Sequence, residues 1–178
     1  MSDWQTIEEN LKYHDNRFKI YVNKVKSPNG KELELKKITI KPGAHLVGLT
    51  PDEKIVLIKQ YRYPCDQNFL EVPSGGVDLY KESYEKAAIR EFEEETGYFP
   101  KNVQFVAKAY HSASLDFPYE VYFSNDLELR QRNIEDAEFG SEVILLSFKE
   151  CMEKIKSGEI HDSATIACLA LCKNKGLI

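Results

Sequence analysis

Apolar and polar residues alternate between residues 17 and 40, as they do in β-strands that have one solvent-facing side. The alternation runs through RFKIYVNKV and resumes in KELELKKITI. The turn SPNG separates the two runs, and its Asn29-Gly30 pair is a strong hairpin signal because both residue types accept positive φ angles. The pattern predicts a β-rich N-terminal arm over residues 1–43, followed by a main domain over residues 44–178.

The main domain opens with strand patterns that follow the Pro42-Gly43 break. AHLVGLT is followed by IVLIKQYRY, a nearly continuous apolar run typical of a strand covered on both faces. A loop, VPSGGVD, then leads into a helix predicted from about Glu82 to Thr96. Three further strand patterns follow: VQFVAKAY, YEVYFSND and VILLSF.

Two helical patterns finish the chain. KECMEKIKSG is closed by Gly158, and DSATIACLALCKNKG can be capped by Asp162 or Ser163. Strands, one helix, more strands and two helices in that order predict an α+β class, with a mixed sheet inside an α/β/α layered domain.

Composition and charge narrow the functional classes. The chain has 178 residues and a net charge of −5, so it offers no basic surface for nucleic acid or for an anionic membrane. Its N-terminus lacks the apolar stretch of a signal peptide, and its cysteines lack paired spacing. We therefore expect a cytoplasmic protein whose Cys168 and Cys172 are buried free thiols.

The most unusual stretch is EFEEET, near the end of the first predicted helix. Glu91, Glu94 and Glu95 share one helical face, whereas Glu93 is rotated away. Carboxylates at this end repel one another and oppose the helix dipole. A hard divalent cation would reverse both effects, because Mg²⁺ prefers carboxylate and carbonyl oxygens. The spacing alone also fits a solvated acidic face.

The flanking residues favour the metal. Gly76, five residues, Glu82, seven residues and then REFEEETGY resemble the Nudix box, GX5EX7REUXEEXGU with U a bulky apolar residue, at every defined position. The resemblance implies that Glu91, Glu94 and Glu95 bind Mg²⁺, with Mn²⁺ as a possible substitute, against a substrate diphosphate. It also implies structural roles for a Glu82–Arg90 ion pair and for Gly97 at the helix end.

The resemblance also implies that a backbone carbonyl just before the motif glycine binds the metal. Strict counting makes Gly76 that glycine, whereas the preceding LEVPSGG, which resembles the ElPaG segment of ADP-ribose and nucleotide-sugar pyrophosphatases, points to Gly75. We predict the Ser74 carbonyl as the ligand; the alternative is that of Gly75.

Other segments resemble the same branch of the Nudix family. The QYR of IKQYRYP implies that Arg62 contacts the substrate diphosphate, and SGEIHDSATIACLAL resembles a C-terminal segment that supports the core by packing. Members of this branch exchange their N-terminal arm within a homodimer, which implies substrate contacts for Trp4 and Lys37. The alternative for Trp4 is packing in the dimer seam, and the alternative for Lys37 is a solvated lysine on a strand. HSASLDFPYE lacks the proline typical of ADP-ribose specificity, leaving other nucleoside diphosphate sugars open.

The implied reaction is Mg²⁺-dependent hydrolysis of a nucleoside diphosphate sugar to a nucleoside monophosphate and a sugar phosphate. In this branch a general base comes from an acidic loop, here NIEDAEFGSE, so Glu135, Asp136 and Glu138 are candidates and Glu138 is our choice. Glu94 is a further candidate. The alternatives are a Nudix hydrolase of nucleoside triphosphates or dinucleoside polyphosphates, and a catalytically silent nucleotide-sensing domain.

Overall fold

The computed structural model describes residues 3–133 and 139–178. Within these residues the strands are β1 (Gln5–Glu8), β2 (Leu11–His14), β3 (Phe18–Lys26), β4 (Glu32–Ile40), β5 (Gly43–Gly48), β6 (Ile55–Arg62), β7 (Gln67–Glu71), β8 (Ser74–Gly76), β9 (Tyr98–Lys101), β10 (Gln104–Tyr110), β11 (Pro118–Ser124), β12 (Asp126–Leu129) and β13 (Glu142–Leu146). The helices are α1 (Tyr84–Thr96), α2 (Phe148–Ser157) and α3 (Ser163–Asn174). None of the helices in these ranges is both long enough and apolar enough to cross a membrane.

The chain divides into two compact units. The first comprises the residues up to Pro42 together with Tyr110–Pro118, and the second comprises Gly43–Ala109 and Tyr119–Ile178. The sequence analysis left Tyr110–Pro118 in the main domain. This segment belongs with the N-terminal strands because Asp116 hydrogen-bonds through its backbone to Ile38 and Ile40 at the end of β4, at 2.9 and 3.0 Å.

The first unit is an antiparallel sheet centred on β3, which pairs with β4 over its whole length and also with β1 and β2. The predicted hairpin between β3 and β4 is confirmed by their antiparallel pairing. Its connection spans residues 27–31, and only Gly30 of the Asn-Gly pair has a positive φ, of 84°. Ser27 closes the turn: its N–H donates to the carbonyl of Lys31, and its carbonyl accepts from the N–H of Gly30, each at 2.9 Å. The turn therefore needs one left-handed residue.

The second unit has helices on both faces of its strands, as predicted. Strand β5 shows the alternation: Leu46 packs in a cluster with Ala88 and Phe92 of α1, whereas Val47 packs in a cluster with Cys151 of α2 and Cys168 of α3. Strand β6 divides its side chains in the same way, and its residues Ile55–Ile58 are at most 1% exposed. The strands form separate sheets rather than the one mixed sheet predicted. The sheet of order β10-β11-β5-β8 is mixed, because β5 pairs in parallel with β11 and antiparallel with β8. The sheet of order β13-β6-β7 is antiparallel.

The second unit differs from the prediction in three places: the start of α1, the VPSGGVD loop and the pair β9·β12. Helix α1 begins at Tyr84 rather than near Glu82, because the Ser83 hydroxyl caps it by accepting from the N–H of Lys86. The predicted VPSGGVD loop contains β8, which pairs with β5 so that Gly75 lies opposite Ala44. The short pair β9·β12 had no sequence signal that we recognised. Asp162 caps α3, as one of the two predicted alternatives.

Candidate active site

Helix α1 presents the acidic face because its opposite face is fixed in the core. Ala87, Ala88 and Phe92 are at most 1% exposed and pack against Leu46 of β5. Gly97 ends the helix with a φ of 76°, the left-handed conformation expected of a glycine C-cap. The orientation of the glutamates is thus set by burial on one side and by the helix end on the other.

Glu95 is the most deeply buried carboxylate of this face, at 2% exposure. Its Oε2 accepts a hydrogen bond of 2.9 Å from the backbone N–H of Ser74, the first residue of β8. Burying an ionised carboxylate is costly unless it is hydrogen-bonded or paired, so this bond stabilises Glu95 at the strand. The predicted metal ligands Glu95 and Ser74 are therefore neighbours in the structure.

Glu91 lies against the next residue of the strand. A Cβ atom built on Gly75 would lie 1.9 Å from Cδ and 2.0 Å from Oε1 of Glu91. Only a residue without a side chain allows the carboxylate to approach the backbone this closely. The steric requirement for glycine thus falls on Gly75, and Gly76 lies one position further along β8, paired with Gly43.

Arg90 pairs with three carboxylates, those of Glu82, Glu91 and Glu94. Its guanidinium donates to Glu82 at 3.0 and 3.3 Å, to Glu91 at 2.8 Å and to Glu94 at 2.8 Å. The hydrogen bond with Glu82 is the main cause that raises the pKa of Arg90, with further contributions from Glu91 and Glu94. The Glu82–Arg90 pair connects the loop before α1 to the helix.

Negative charge exceeds positive charge in this cluster. Glu82, Glu91 and Glu94 share the guanidinium of Arg90. The carboxylates of Glu91 and Glu95 lie against the strand backbone at Gly75 and Ser74. Partly buried like charges repel strongly, and a divalent cation is the usual means of compensation. The donor set therefore fits a hard divalent ion.

The carboxylates of the acidic face do not converge on a single point in this structure. Across residues 3–133 and 139–178, no three His, Cys, Asp or Glu side chains converge as metal ligands do. Glu94 is turned towards Arg90, and Glu95 is turned towards the Ser74 N–H. Rotation of these carboxylates about their side-chain bonds would be required for them to share one ion.

Arg62, the predicted diphosphate contact, is half of an ion pair at the end of β6. Its Nε and Nη2 donate to Oε2 of Glu71 at 2.8 and 2.6 Å, across the β6·β7 pair. Burial raises the pKa of the Glu71 carboxyl, and the hydrogen bond from Arg62 opposes that shift. Glu71, the glutamate of LEVPSGG, was not predicted as the partner of Arg62, because their pairing depends on the register of β6 on β7.

Of the five remaining predicted residues, the structure describes two, Trp4 and Lys37. Trp4 and Lys37 belong to the first unit, where Trp4 is 46% exposed and the Lys37 ammonium lies 5.6 Å from the centre of the Tyr21 ring. Glu135, Asp136 and Glu138 fall outside the described residues. Their proposed roles therefore depend on the sequence alone.

The chain is similar to known proteins over most of its length. The model of the NUDIX domain family matches residues 39–162. The ADP-ribose pyrophosphatase of Bacillus subtilis (strain 168) is 33% identical over 82% of this chain and 80% of its own length. A methanol dehydrogenase activator of Bacillus methanolicus is 30% identical over 83% of this chain and 80% of its own length.

A solved structure shows the same fold over nearly the entire chain. The crystal structure of an ADP compounds hydrolase superposes with a TM-score of 0.84, covering 98% of this chain and 97% of that one at 17% identity. The family match spans more than half of the chain and includes α1 with its four clustered glutamates. The chain belongs to the Nudix family.

Proposed function

We propose that this protein hydrolyses the diphosphate of a nucleoside diphosphate sugar, ADP-ribose or a related compound, to a nucleoside monophosphate and a sugar phosphate. The observation that carries the proposal is the position of the acidic face, with Glu95 on the Ser74 N–H and Glu91 against Gly75. The similarity to an ADP-ribose pyrophosphatase over most of both chains supports the substrate class.

The carboxylates of Glu91, Glu94 and Glu95 and the carbonyl of Ser74 are the proposed ligands of Mg²⁺, with Mn²⁺ as a substitute. When bound, a divalent ion neutralises the diphosphate and lowers the pKa of a coordinated water. Arg90 donates hydrogen bonds to Glu91 and Glu94, and its contact with Glu82 connects the loop before α1 to the helix. The proposed roles of Gly76 and Gly97 are structural.

The nucleophilic water must lose a proton to a base. Glu138 is our proposed general base, with Glu135 and Glu94 as the other candidates. A positioned carboxylate in this role contributes about 10²–10⁴-fold to the rate.

Arg62 is the proposed contact to the substrate diphosphate, because a guanidinium forms paired hydrogen bonds with phosphate oxygens. The ion pair with Glu71 holds the Arg62 side chain at the end of β6. We propose substrate contacts for Trp4 and Lys37 as well, both contributed by the N-terminal arm of residues 1–43.

The proposed assembly is a cytoplasmic homodimer formed through this arm. Large apolar side chains are exposed on the first unit, where Leu11, Leu33 and Leu35 are each between 41% and 48% accessible. A second copy of the arm would remove this apolar surface from water.

The deciding experiment is a substrate panel. The protein is incubated with Mg²⁺ and ADP-ribose, other nucleoside diphosphate sugars, or nucleoside triphosphates, and the products are identified by ³¹P NMR. A monophosphate and a sugar phosphate in equal amounts support the proposal. Turnover of triphosphates alone contradicts the substrate class, and binding without turnover indicates a sensing domain.

The substitution Glu95→Gln tests the metal assignment. It keeps the size and the acceptor oxygen that faces the Ser74 N–H but removes the negative charge. We expect kcat to fall by several orders of magnitude because the ion loses a ligand, with the unfolding temperature nearly unchanged. Glu93→Gln is the matched control, since Glu93 points away from this face and pairs with Arg130. Near-normal turnover by Glu95→Gln would refute the assignment.

A further inference from the structure

The C-terminal end of α1 is covered by a short segment, residues 130–133, that carries two arginines. The last turn of α1 holds Glu93, Glu94 and Glu95 and contains no basic residue of its own. The exposed carbonyls of a helix end carry partial negative charge, so this end needs donors and cations from elsewhere in the chain. Residues 130–133 supply both.

Backbone groups of this segment bind two of the terminal carbonyls. The N–H of Asn133 donates to the carbonyl of Glu94 at 3.1 Å, and the N–H of Arg130 donates to the carbonyl of Gly97 at 2.6 Å. Gly97 allows this approach, because a Cβ there would lie 3.1 Å from the carbonyl oxygen of Arg130 and 3.2 Å from the nitrogen of Arg132. The segment is thus packed directly onto the helix end.

The guanidinium of Arg132 binds the carbonyl of Glu95 through its Nε. Its other two nitrogens donate to the carbonyl and the hydroxyl of Ser141, at 2.7 and 2.6 Å. One planar group therefore connects the backbone of a proposed metal ligand to the residue just before β13, which pairs with β6 in the sheet. A planar guanidinium with five N–H donors can hold three acceptors in a fixed arrangement, which an ammonium group cannot.

We propose that Arg132 is a positioning residue for the proposed metal site, acting through the backbone of Glu95. Because Glu95 is held at its side chain by Ser74 and at its carbonyl by Arg132, the last turn of α1, which carries Glu94 and Glu95, is protected from fraying. The inference rests on the proposed function, because it assigns a role relative to the metal ligands.

Arg130 provides a matched control in the same segment. Its guanidinium pairs with the side chain of Glu93 at 3.1 Å and lies 3.8 Å from the centre of the Phe99 ring. Glu93 is not among the proposed ligands, and the backbone N–H of Arg130 is unaffected by a change of its side chain. Substituting Arg130 therefore removes the same charge from the same helix end without releasing the Glu95 carbonyl.

The test measures Mn²⁺ binding to the metal-free protein through the EPR signal of the free ion. Thermal unfolding of the same variants is measured in parallel. Outer-sphere partners of metal ligands typically contribute 10–100-fold to affinity. We expect Arg132→Gln to raise the Kd for Mn²⁺ by about 10–100-fold. We expect Arg132→Lys to fall between Arg132→Gln and the wild type, and Arg130→Gln to stay within about twofold of the wild type.

Two outcomes would overturn the inference. The first is wild-type Mn²⁺ affinity in Arg132→Gln, or in Arg132→Lys if the glutamine variant does not fold; a lower unfolding temperature beside that unchanged affinity would make Arg132 purely structural. The second is an equal loss of affinity in Arg130→Gln, which would assign the effect to charge alone. Wild-type protein that binds Mn²⁺ but hydrolyses no nucleoside diphosphate sugar refutes the proposed reaction alone, whereas a wild type that fails to bind Mn²⁺ refutes both.

Discussion

At the scale of single residues, the site depends on how closely carboxylates approach one strand. Ser74 offers an N–H to Glu95, and Gly75 offers space to Glu91, so two adjacent residues of β8 receive two glutamates of α1. Glu91 and Glu95 are one helical turn apart, and this spacing places both on the same side of α1. The acidic face is therefore held by backbone geometry as well as by Arg90.

Gly75→Ala tests this close approach. The new methyl group would lie 1.9 Å from Cδ of Glu91, at the end of a flexible side chain, so we expect the carboxylate to move rather than the strand. Turnover and Mn²⁺ affinity should fall at least tenfold, because a displaced ligand binds the ion poorly. Steady-state kinetics and Mn²⁺ titration provide the measurement.

Gly43→Ala is the control for that change. Gly43 lies in β5, and a methyl group there meets its nearest atom at 3.5 Å, an ordinary contact. We expect Gly43→Ala to retain wild-type turnover. If Gly75→Ala also retains wild-type turnover, the close contact of Glu91 with the strand is not required for activity.

The limits of prediction at this scale are also visible in β8. The letters Gly75-Gly76 are identical, and counting along the motif selected Gly76 whereas the neighbouring Pro-Ser-Gly context selected Gly75. The distinction depends on which of the two faces Glu91, which is set by the register of β8 on β5 and by the position of α1. Neither is encoded in the local sequence.

At the scale of elements, α3 is hydrogen-bonded to the connection between β7 and β8, which leads into the site. The hydroxyl of Thr165, in the first turn of α3, accepts a hydrogen bond of 3.0 Å from the N–H of Val72. Val72 lies between Glu71, the partner of Arg62, and Ser74, the partner of Glu95. The C-terminal segment expected to support the core by packing thus also satisfies a buried backbone group beside the site.

Thr165→Val removes that acceptor while preserving the shape of the side chain. Because Thr165 is fully buried, the Val72 N–H would lose its partner away from water. We expect the free energy of unfolding to fall by about 1–3 kcal/mol. Urea denaturation provides the measurement.

Thr165→Ser is the matched variant, since it keeps the hydroxyl and removes only a methyl group. It should lose about 1 kcal/mol, the usual effect of one buried methyl group. A serine variant less stable than the valine variant would show that packing, not the hydrogen bond, is what Thr165 contributes.

Elements with a strong periodic signal were predictable, and those formed by long-range pairing were not. The apolar run of β6 and the amphipathic α1 are confirmed, because burial on both faces of a strand and on one face of a helix leaves a clear pattern. Strands β8 and β9 contain glycine or proline and are three and four residues long, so their local preference gives no strand signal. They exist because β5 and β12 pair with them.

At the scale of the whole molecule, the core on the α2/α3 side contains the buried thiols. Cys168 and Cys172 are buried free thiols, as predicted. Cys151 is buried as well, whereas Cys65 is exposed. Burial raises the pKa of Cys151 to about 11 and that of Cys172 to about 12, and it also raises the pKa of Cys168. The thiolate is the reactive form, so these three groups remain protonated and unreactive at neutral pH.

A thiol reagent should therefore report the integrity of this core. In native protein at pH 8, we expect one rapid equivalent of reaction with DTNB, from Cys65, and three more only in denaturant. Cys65→Ser is the control and should abolish the rapid phase. Two or more rapid equivalents in native protein would show that the core opens more readily than its burial indicates.

The proposed homodimer can be tested through the apolar face of the first unit. Directly paired residues in antiparallel strands share a face, so Leu33 and Leu35 lie on the face of β3 that carries Val25 and Asn23. Leu35 is 45% exposed in a single chain, so a glutamate there remains solvated in a monomer but would be buried in a seam between two copies. We expect the molecular mass measured by light scattering to be that of two chains for the wild type and that of one chain, 20.5 kDa, for Leu35→Glu.

Lys36→Glu provides the control, because Lys36 is the next residue of the same strand and points to the opposite face. The same change of residue at that position should leave the mass of the dimer unchanged. A wild-type protein that already has the mass of one chain would contradict the dimer, and a dimer that survives Leu35→Glu would locate the interface elsewhere. The comparison thus separates the existence of the assembly from the face through which it forms.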